Sequence, residues 1–511
     1  MQSKRDQVHA HTFMIGRLSS GLLMADPDAP ESPLGRTTRG VVFGLLATVL
    51  IGAGATVYGL LRPGGNESWR DGKHLVVNRD TGARYLWTDT DGVLHPVRNY
   101  ASARLLGGSD LATSDVHTPS LEGVPVGSPV GIPGAPDSVP APGQLDADAW
   151  HMCVTGPGGA LANTSGTVSN TGVNEPGATT LVAGAPLDST GIAADRGVLV
   201  RDPKGTEYLV WRGSRLPLDH ASDARNALGY GSQRPIPVSA AFLDALAAGP
   251  ALKPPAAPGR GEEGPVIGGE PSRIGQVFKV SVPGGDSTYH LLRKDGLVPL
   301  TRLDAALVLG DPATQKDAYQ GKSPRARTVG ADALREHRAE EAGPAGSTEL
   351  PDAPPAPQST PRGTALCAQI EGGEGGVRIR SVLTPLTSLS PVAVPAGTAG
   401  VRDACVRTDA TVVRPGRAAL VRALNASGAA HAGTTYLVAE NGVKYRVANE
   451  GALTALGFAA GDVDSVPAPL LASLPSGADL DPDAATGATR AKVTAPACDT
   501  AAKKAKGTTG G

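Results

Sequence analysis

Aromatic residues are scarce in this chain of 511 residues, which has four Trp, nine Tyr and five Phe. Any hydrophobic core is therefore built mainly from Val, Leu and Ala, and a hydrophobic content of 40% is enough for one. Charge of one sign is also missing. With 47 basic and 49 acidic residues the net charge is -2. That excludes the basic field that favours nucleic acid, and no acidic tail is present. Four cysteines are too few for a small disulfide-stapled toxin. Gly and Pro, at 67 and 44, make about a fifth of the chain, short of the roughly 25–30% that signals disorder. The composition excludes collagen and coiled coil, and a single long apolar run excludes a polytopic membrane protein. At roughly 100–200 residues per domain, the length allows about two to four.

That run is Gly40–Leu61, GVVFGLLATVLIGAGATVYGLL, 22 residues without a charge. At ~1.5 Å per residue it crosses a bilayer core of about 30 Å. It exceeds the usual signal-peptide core and 39 residues precede it, so it is expected to remain as an anchor. Lys4, Arg5, Arg17, Arg36 and Arg39 precede it, whereas Arg62 is soon joined by Glu67 and Asp71. The positive-inside rule puts residues 1–39 in the cytoplasm and the body outside. Gly44, Thr48, Gly52, Thr56 and Gly59 recur nearly every fourth residue, a small-residue face on which another helix could pack. In the arm, Val8, His11, Ile15, Leu18 and Leu22 recur at helical spacing, and Asp26-Pro27 with Pro30 and Pro33 ends the helix. So short a helix needs the inner leaflet or a partner to cover it.

Beyond the span, four segments share a pattern: Tyr followed by an apolar strand, a Gly turn, a second strand often carrying Pro, and an Ala/Leu helix closed by Gly. Its fixed points are Tyr85, Gly92 and Gly107; Tyr208, Gly213 and Gly229; Tyr289, Gly296 and Gly310; Tyr436, Gly442 and Gly457. From Tyr to final Gly the distances are 22, 21, 21 and 21. Gly supplies positive φ in a hairpin turn and at a helix end, and Pro suits an edge strand. Each unit reads as a ββα module too small to bury its own face, so units must pack together or on a hub. The second and fourth share an extension, Val238–Leu252 and Val466–Leu480, which hints at a pseudo-two-fold.

The expected order is a cytoplasmic arm at 1–39, the span at 40–61, repeat one at 66–115 and a first central part at 116–196. Repeat two at 197–252, a Pro/Gly-rich loop at 253–273, repeat three at 274–338 and a Pro-rich loop at 339–363 follow. A second central part at 364–413, repeat four at 414–482 and a tail at 483–511 complete it. The loops, with Glu262-Glu263 and Glu340-Glu341, read as mobile and solvated; the tail, with Lys503, Lys504 and Lys506, reads as disordered.

Little chemistry is legible. Gly321-Lys322-Ser323 has the tail of a phosphate-binding loop, but Lys316 stands where its first Gly belongs and Pro324 blocks the following helix. His95, His220 and His290 read as packed or surface residues. No zinc-ligand spacing and no cofactor motif is present. Cys153, Cys367, Cys405 and Cys498 all fall beyond the span, where disulfides persist; three connectivities are open.

Gln7-Val8 to Phe13, Gly131-Ile132-Pro133-Gly134-Ala135-Pro136, Trp150-His151-Met152-Cys153 and Ala365-Leu366-Cys367 complete a layout that resembles the EccB family of type VII (ESX) secretion. The resemblance implies an α+β, β-rich fold: one transmembrane helix, then a propeller-like body of repeats around a central β domain. It implies a Cys153–Cys367 disulfide and a second between Cys405 and Cys498. It implies plasma-membrane partners: an FtsK/SpoIIIE-type ATPase, a polytopic channel subunit, other membrane subunits and further copies of the chain, with no nucleic acid. ATP hydrolysis is attributed to relatives, but these residues carry no phosphate loop, so a structural, non-catalytic subunit is expected. A rival reading is a membrane-anchored peptidoglycan binder in which Tyr85, Trp87 and Trp211 stack on sugars.

Overall fold

The computed structural model describes residues 3–25, 33–61, 67–155, 177–281, 287–339, 346–347, 349–373, 376–389, 400–424, 430–496 and 498. The fold is mixed α/β and rich in strand. Two compact units form, one from residues 1–94 and 113–126, the other from 95–112 and 127–511.

In the first unit, α1 (Lys4–Met24) starts at Ser3, whose side chain accepts from the Asp6 amide while Asp6 accepts from the Ser3 amide. Val8, Ile15, Leu18 and Leu22 are exposed, as expected of an uncovered apolar face. Phe13 falls on the opposite side at 3.6 residues per turn, so the apolar stripe is less segregated than the spacing implies. The proline stop at 26–30 lies outside the described residues. α2 (Pro33–Leu61) carries the apolar run.

Next come β1 (His74–Asn78), β2 (Arg84–Thr88) and β3 (Val93–Pro96), then α3 (Tyr100–Gly107) and β4 (Ala112–Val116), the strands ordered β3-β2-β1-β4. Trp69, Val76, Leu94 and Val116 form the core of the first unit. The helix of this repeat, α3, belongs to the second unit.

The second unit continues with β5 (Trp150–Thr155), β6 (Thr179–Val182) and β7 (Thr190–Gly191). Repeat two follows as β8 (Arg196–Arg201), β9 (Glu207–Trp211), β10 (Ser214–Pro217), α4 (Ala224–Ala227), β11 (Ile236–Pro237), α5 (Ala240–Asp244) and β12 (Ala247–Ala248). Repeat three is β13 (Val277–Val280), β14 (Thr288–Arg293), β15 (Gly296–Leu300), α6 (Arg302–Gly310), α7 (Pro312–Asp317), β16 (Arg327–Val329) and α8 (Ala331–His337). After β17 (Ala356–Pro357) come β18 (Thr364–Gly373), β19 (Gly376–Pro385) and β20 (Ala410–Val412). Repeat four is β21 (Ala419–Leu424), β22 (Ala430–Val438), β23 (Lys444–Val447), α9 (Glu450–Ala455), β24 (Asp464–Pro467) and α10 (Ala468–Ala472), with α11 (Pro482–Thr486) behind it.

The ββα expectation is too small. Each sheet begins with a strand upstream of the Tyr strand and takes back another after the helix. The orders β15-β14-β13-β16 and β23-β22-β21-β24 match that of the first repeat, and β11-β8-β9-β10 contains it. β11, β16 and β24 run parallel to β8, β13 and β21. The first strands carry runs such as Val198-Leu199-Val200, buried on both faces. Such runs lack the alternation that marks a strand in sequence. Tyr85, Tyr208, Tyr289 and Tyr436 all lie half-buried on the second strand, opposite Val76, Val200, Lys279 and Val421.

The glycines divide by role. Arg212 and Gly213, both at positive φ, make a two-residue turn whose twist suits a hairpin. Gly92 and Gly442 also have positive φ. Gly296 instead opens β15, after a Lys294-Asp295 turn, and a Cβ there would collide with the backbone of 337–339. Gly229 and Gly457 end helices with positive φ. Gly107 and Gly310 are the last helical residues, and each faces a close neighbour, Leu111 and Ala227.

The segments expected to be mobile are partly built into sheets and cores. Ile267 is fully buried with Ile274 and Phe278, and the loop closes on itself through the Glu263–Arg273 bridge. β17 from the Pro-rich segment adds parallel to β8, and Pro355 accepts a bond from the Tyr230 hydroxyl at 2.7 Å. Pro-rich backbone is already extended, so little entropy is lost when it lies along an edge. The expected tail begins with α11, whose Ala484 and Ala485 are buried in the core that holds Leu105 of α3. Glu340-Glu341 and Lys503, Lys504 and Lys506 lie outside the described residues.

Candidate functional site

The central sheet packs against repeats two and four. Its order is β20-β6-β5-β18-β19-β7, drawn wholly from the two stretches without the Tyr pattern. β5 is buried throughout. Trp150, Met152 and Val154 enter one large core with Val198, Val210 and Phe242 of repeat two and Val421, Val466 and Leu470 of repeat four. Cys153 faces the other way, directly opposite Cys367 on β18, and the two are bonded. Cys405 is bonded to Cys498. These bonds close stretches of 214 and 93 residues.

Asp146 fixes the central chain to repeat four. Its side chain has no exposure, and it accepts from Arg414 Nε at 3.0 Å and from Arg417. Arg417 also donates to Leu145 O at 2.7 Å. A buried carboxylate needs such full pairing to be tolerated. Sequence reading missed this cluster, because the partners lie 268 and 271 residues apart. Repeat two touches the sheet through its hairpin turn and repeat four through β24. Gly213 donates to Ser381 Oγ at 3.1 Å, and Gly372 of β18 lies against Ser465.

The small residues of the span sit on α2. Gly44, Gly52 and Gly59 have open space where a Cβ would project, and Thr48 and Thr56 donate to Gly44 O and Gly52 O at 2.8 and 2.7 Å. Their hydroxyls are thus satisfied inside the helix, as a lipid setting demands. Residues 37–59 form a stretch of 23 long and apolar enough to cross a membrane.

Gly321-Lys322-Ser323 forms a turn with Gly321 at positive φ, and the strand β16 follows, not a helix. The turn borders an open cavity of about 650 Å³ lined also by Arg273, Arg325 and Glu263. His95 Nδ1 lies 2.9 Å from Ser128 O, and His220 is exposed. His290 and His151 are buried, and burial holds both imidazoles below the ordinary range, with Arg338 adding to the effect at His290. The aromatics offered for sugar stacking are engaged in the fold. Trp87 donates to Asp89 at 2.6 Å and packs edge-on against Trp69; Trp211 donates to Ala194 O at 2.8 Å. Tyr85 lies half-buried on β2.

The family model described as "Type VII secretion system ESX-1, transport TM domain B" matches residues 1–492. The chain belongs to this EccB family. It is 32% identical over 315 residues to the ESX-3 secretion system ATPase EccB3 of Mycolicibacterium smegmatis, covering 60% of this chain and 56% of that relative. The matched part is thus little over half the relative's length. The fold is similar to a chain of the intact ESX-5 inner membrane complex, with TM-score 0.60, 26% identity and 97% of both chains covered. It is also similar to the EccB3 dimer from the ESX-3 core complex, with TM-score 0.60, 25% identity, and 81% of this chain and 99% of that one covered. EccB is a component of the ESX inner membrane complex. The expectation of a non-enzyme is corrected here: the EccB1, EccB2 and EccB3 relatives are all named secretion system ATPases. A missing phosphate loop does not by itself exclude an enzyme, because that loop is one way of holding a nucleotide among several.

Proposed function

We propose that the chain is a single-pass subunit that anchors the type VII secretion membrane complex and assembles with copies of itself around the export channel. The observation that carries this reading is a family match running unbroken from the arm, through the apolar helix, to the disulfide-tied body. In this reading the N-terminus is cytoplasmic, supported by the basic residues before the apolar run. The partners are an FtsK/SpoIIIE-type ATPase, a polytopic channel subunit and other membrane subunits. The small-residue face of α2 packs in the membrane. The body is a set of four repeats arranged in a propeller-like way around the central sheet, a reading supported by their shared strand order.

The test is the native mass and composition of the complex, purified through a C-terminal tag after mild solubilisation. A particle of megadalton order with an FtsK-like ATPase and a polytopic partner is expected. A lone dimer holding wall fragments and no ATPase would overturn the reading. The same preparation allows the hydrolysis named for the relatives to be assayed.

A further inference from the structure

Lys444, at the start of β23, is only 2% exposed. Its Nζ donates to Leu474 O at 3.0 Å and to Leu471 O. These carbonyls belong to the C-terminal end of α10 and the turn after it, where a cation is favoured. An ammonium has three donors, so these two bonds leave one. Among the described residues no carboxylate pairs with it. A buried charge without a counter-charge is costly, and burial alone pulls this amine down to about 8.

Lys444 lines an open cavity of about 530 Å³ between repeats two and four. The walls are Tyr436, Ala423, Ala241, Leu471 and Ala472, with the Tyr436 ring centroid 6.0 Å from Nζ. Arg215 and Asp244 stand at the same cavity but pair with each other at 3.0 Å. The Ser473 hydroxyl is already donated to Leu470 O at 2.7 Å. The volume is within the roughly 300–1,000 Å³ of small-molecule sites.

We propose that this cavity binds an acyl carboxylate of the fatty-acid class, its carboxylate on Lys444 Nζ and its chain along the Ala, Leu and Tyr walls. Charge complementarity fixes the anion at the buried Lys444 ammonium, since Arg215 at the same cavity is already paired with Asp244. The walls fix the rest: a peptide would bring amides that find few partners there, and each unsatisfied amide would cost binding. An acyl chain asks for none.

The test is photolabelling of the purified full-length chain in lipid nanodiscs with dodecanoate carrying an alkyl diazirine. Adducts are located by peptide mass spectrometry. Labelling is expected on Tyr436 and on residues 468–473, displaced by dodecanoate and not by dodecan-1-ol. Lys444→Gln keeps a donor but loses the charge, and Ala472→Trp fills the cavity while leaving Lys444 in place. Each should cut the labelling about tenfold, as expected for losing one charge-assisted bond or the space itself. Ala241→Phe, on the opposite wall, replaces any variant that fails to fold. Absent labelling, labelling undiminished in the folded variants, or equal displacement by dodecan-1-ol overturns the proposal. Stronger displacement by an apolar peptide with a free C-terminus overturns the acyl assignment.

Discussion

Gly310, the last residue of α6, lies so close to Ala227 of α4 that a Cβ on the glycine would overlap the alanine Cβ. The helices of repeats two and three meet at this point, and Leu303 and Leu307 of α6 join Ala224 and Leu228 in one core. The helix of repeat one makes the matching contact at the other end of the chain, where Arg104 donates to Leu456 O at 3.2 Å. Helices pair between repeats because each alone is too short to cover its sheet.

Gly310→Val should therefore force these helices apart and cost about 1–3 kcal/mol, the usual range for overpacking. Gly108→Ala is not a fair control, because Gly108 has positive φ; Gly143→Ala, in open space without positive φ, is one. Urea unfolding of both variants checks this. An unchanged midpoint for Gly310→Val would show that the helix pair yields freely.

The two disulfides should contribute comparably through chain entropy and unequally through packing. Loops of 214 and 93 residues each predict about 5 kcal/mol. Cys153 and Cys367 are also buried between strands, whereas Cys498 is exposed. Replacing Cys153 and Cys367 by Ala should therefore lower the melting temperature more than replacing Cys405 and Cys498. The reverse order would show that the central sheet holds without its bond.

Lys322→Ala should leave ATP turnover of the purified complex unchanged. The Gly321-Lys322-Ser323 turn leads into β16, so no helix N-terminus converges with Lys322 on a phosphate. A loss of about tenfold or more would make Lys322 part of a nucleotide site of another kind.

Acid should weaken the fold through its buried histidines. Burial depresses the pKa of His151 on β5 and of His290 on β14, which favours the neutral imidazole in the folded chain. The unfolded chain takes up protons near 6.5. Their contribution is complete above that value and is lost as pH falls through it towards the folded pKa. The melting temperature should drop between about pH 7 and pH 5, and less steeply in His151→Gln. A flat profile for the unsubstituted chain would contradict this.

The apolar run of α2 and the four Tyr-to-Gly units were legible in sequence because their signals are local. A helix in lipid needs only length and apolarity, and a hairpin needs its turn. The first strand of each unit was hidden because a strand buried on both faces has no alternation. The fate of the Pro-rich segments was hidden because an edge strand is defined by its neighbour, as β17 is by β8.

By itself, then, the sequence determined the apolar run, the Tyr-to-Gly spacing and the motifs that resemble the EccB family. Only the tertiary structure decided which repeats share a core, where Asp146 meets Arg414 and Arg417, and that Lys444 is buried beside a cavity with no carboxylate paired to it among the described residues. Those pairings join residues far apart in the chain. Their energy depends on desolvation at the meeting point, a quantity that no local stretch of sequence contains.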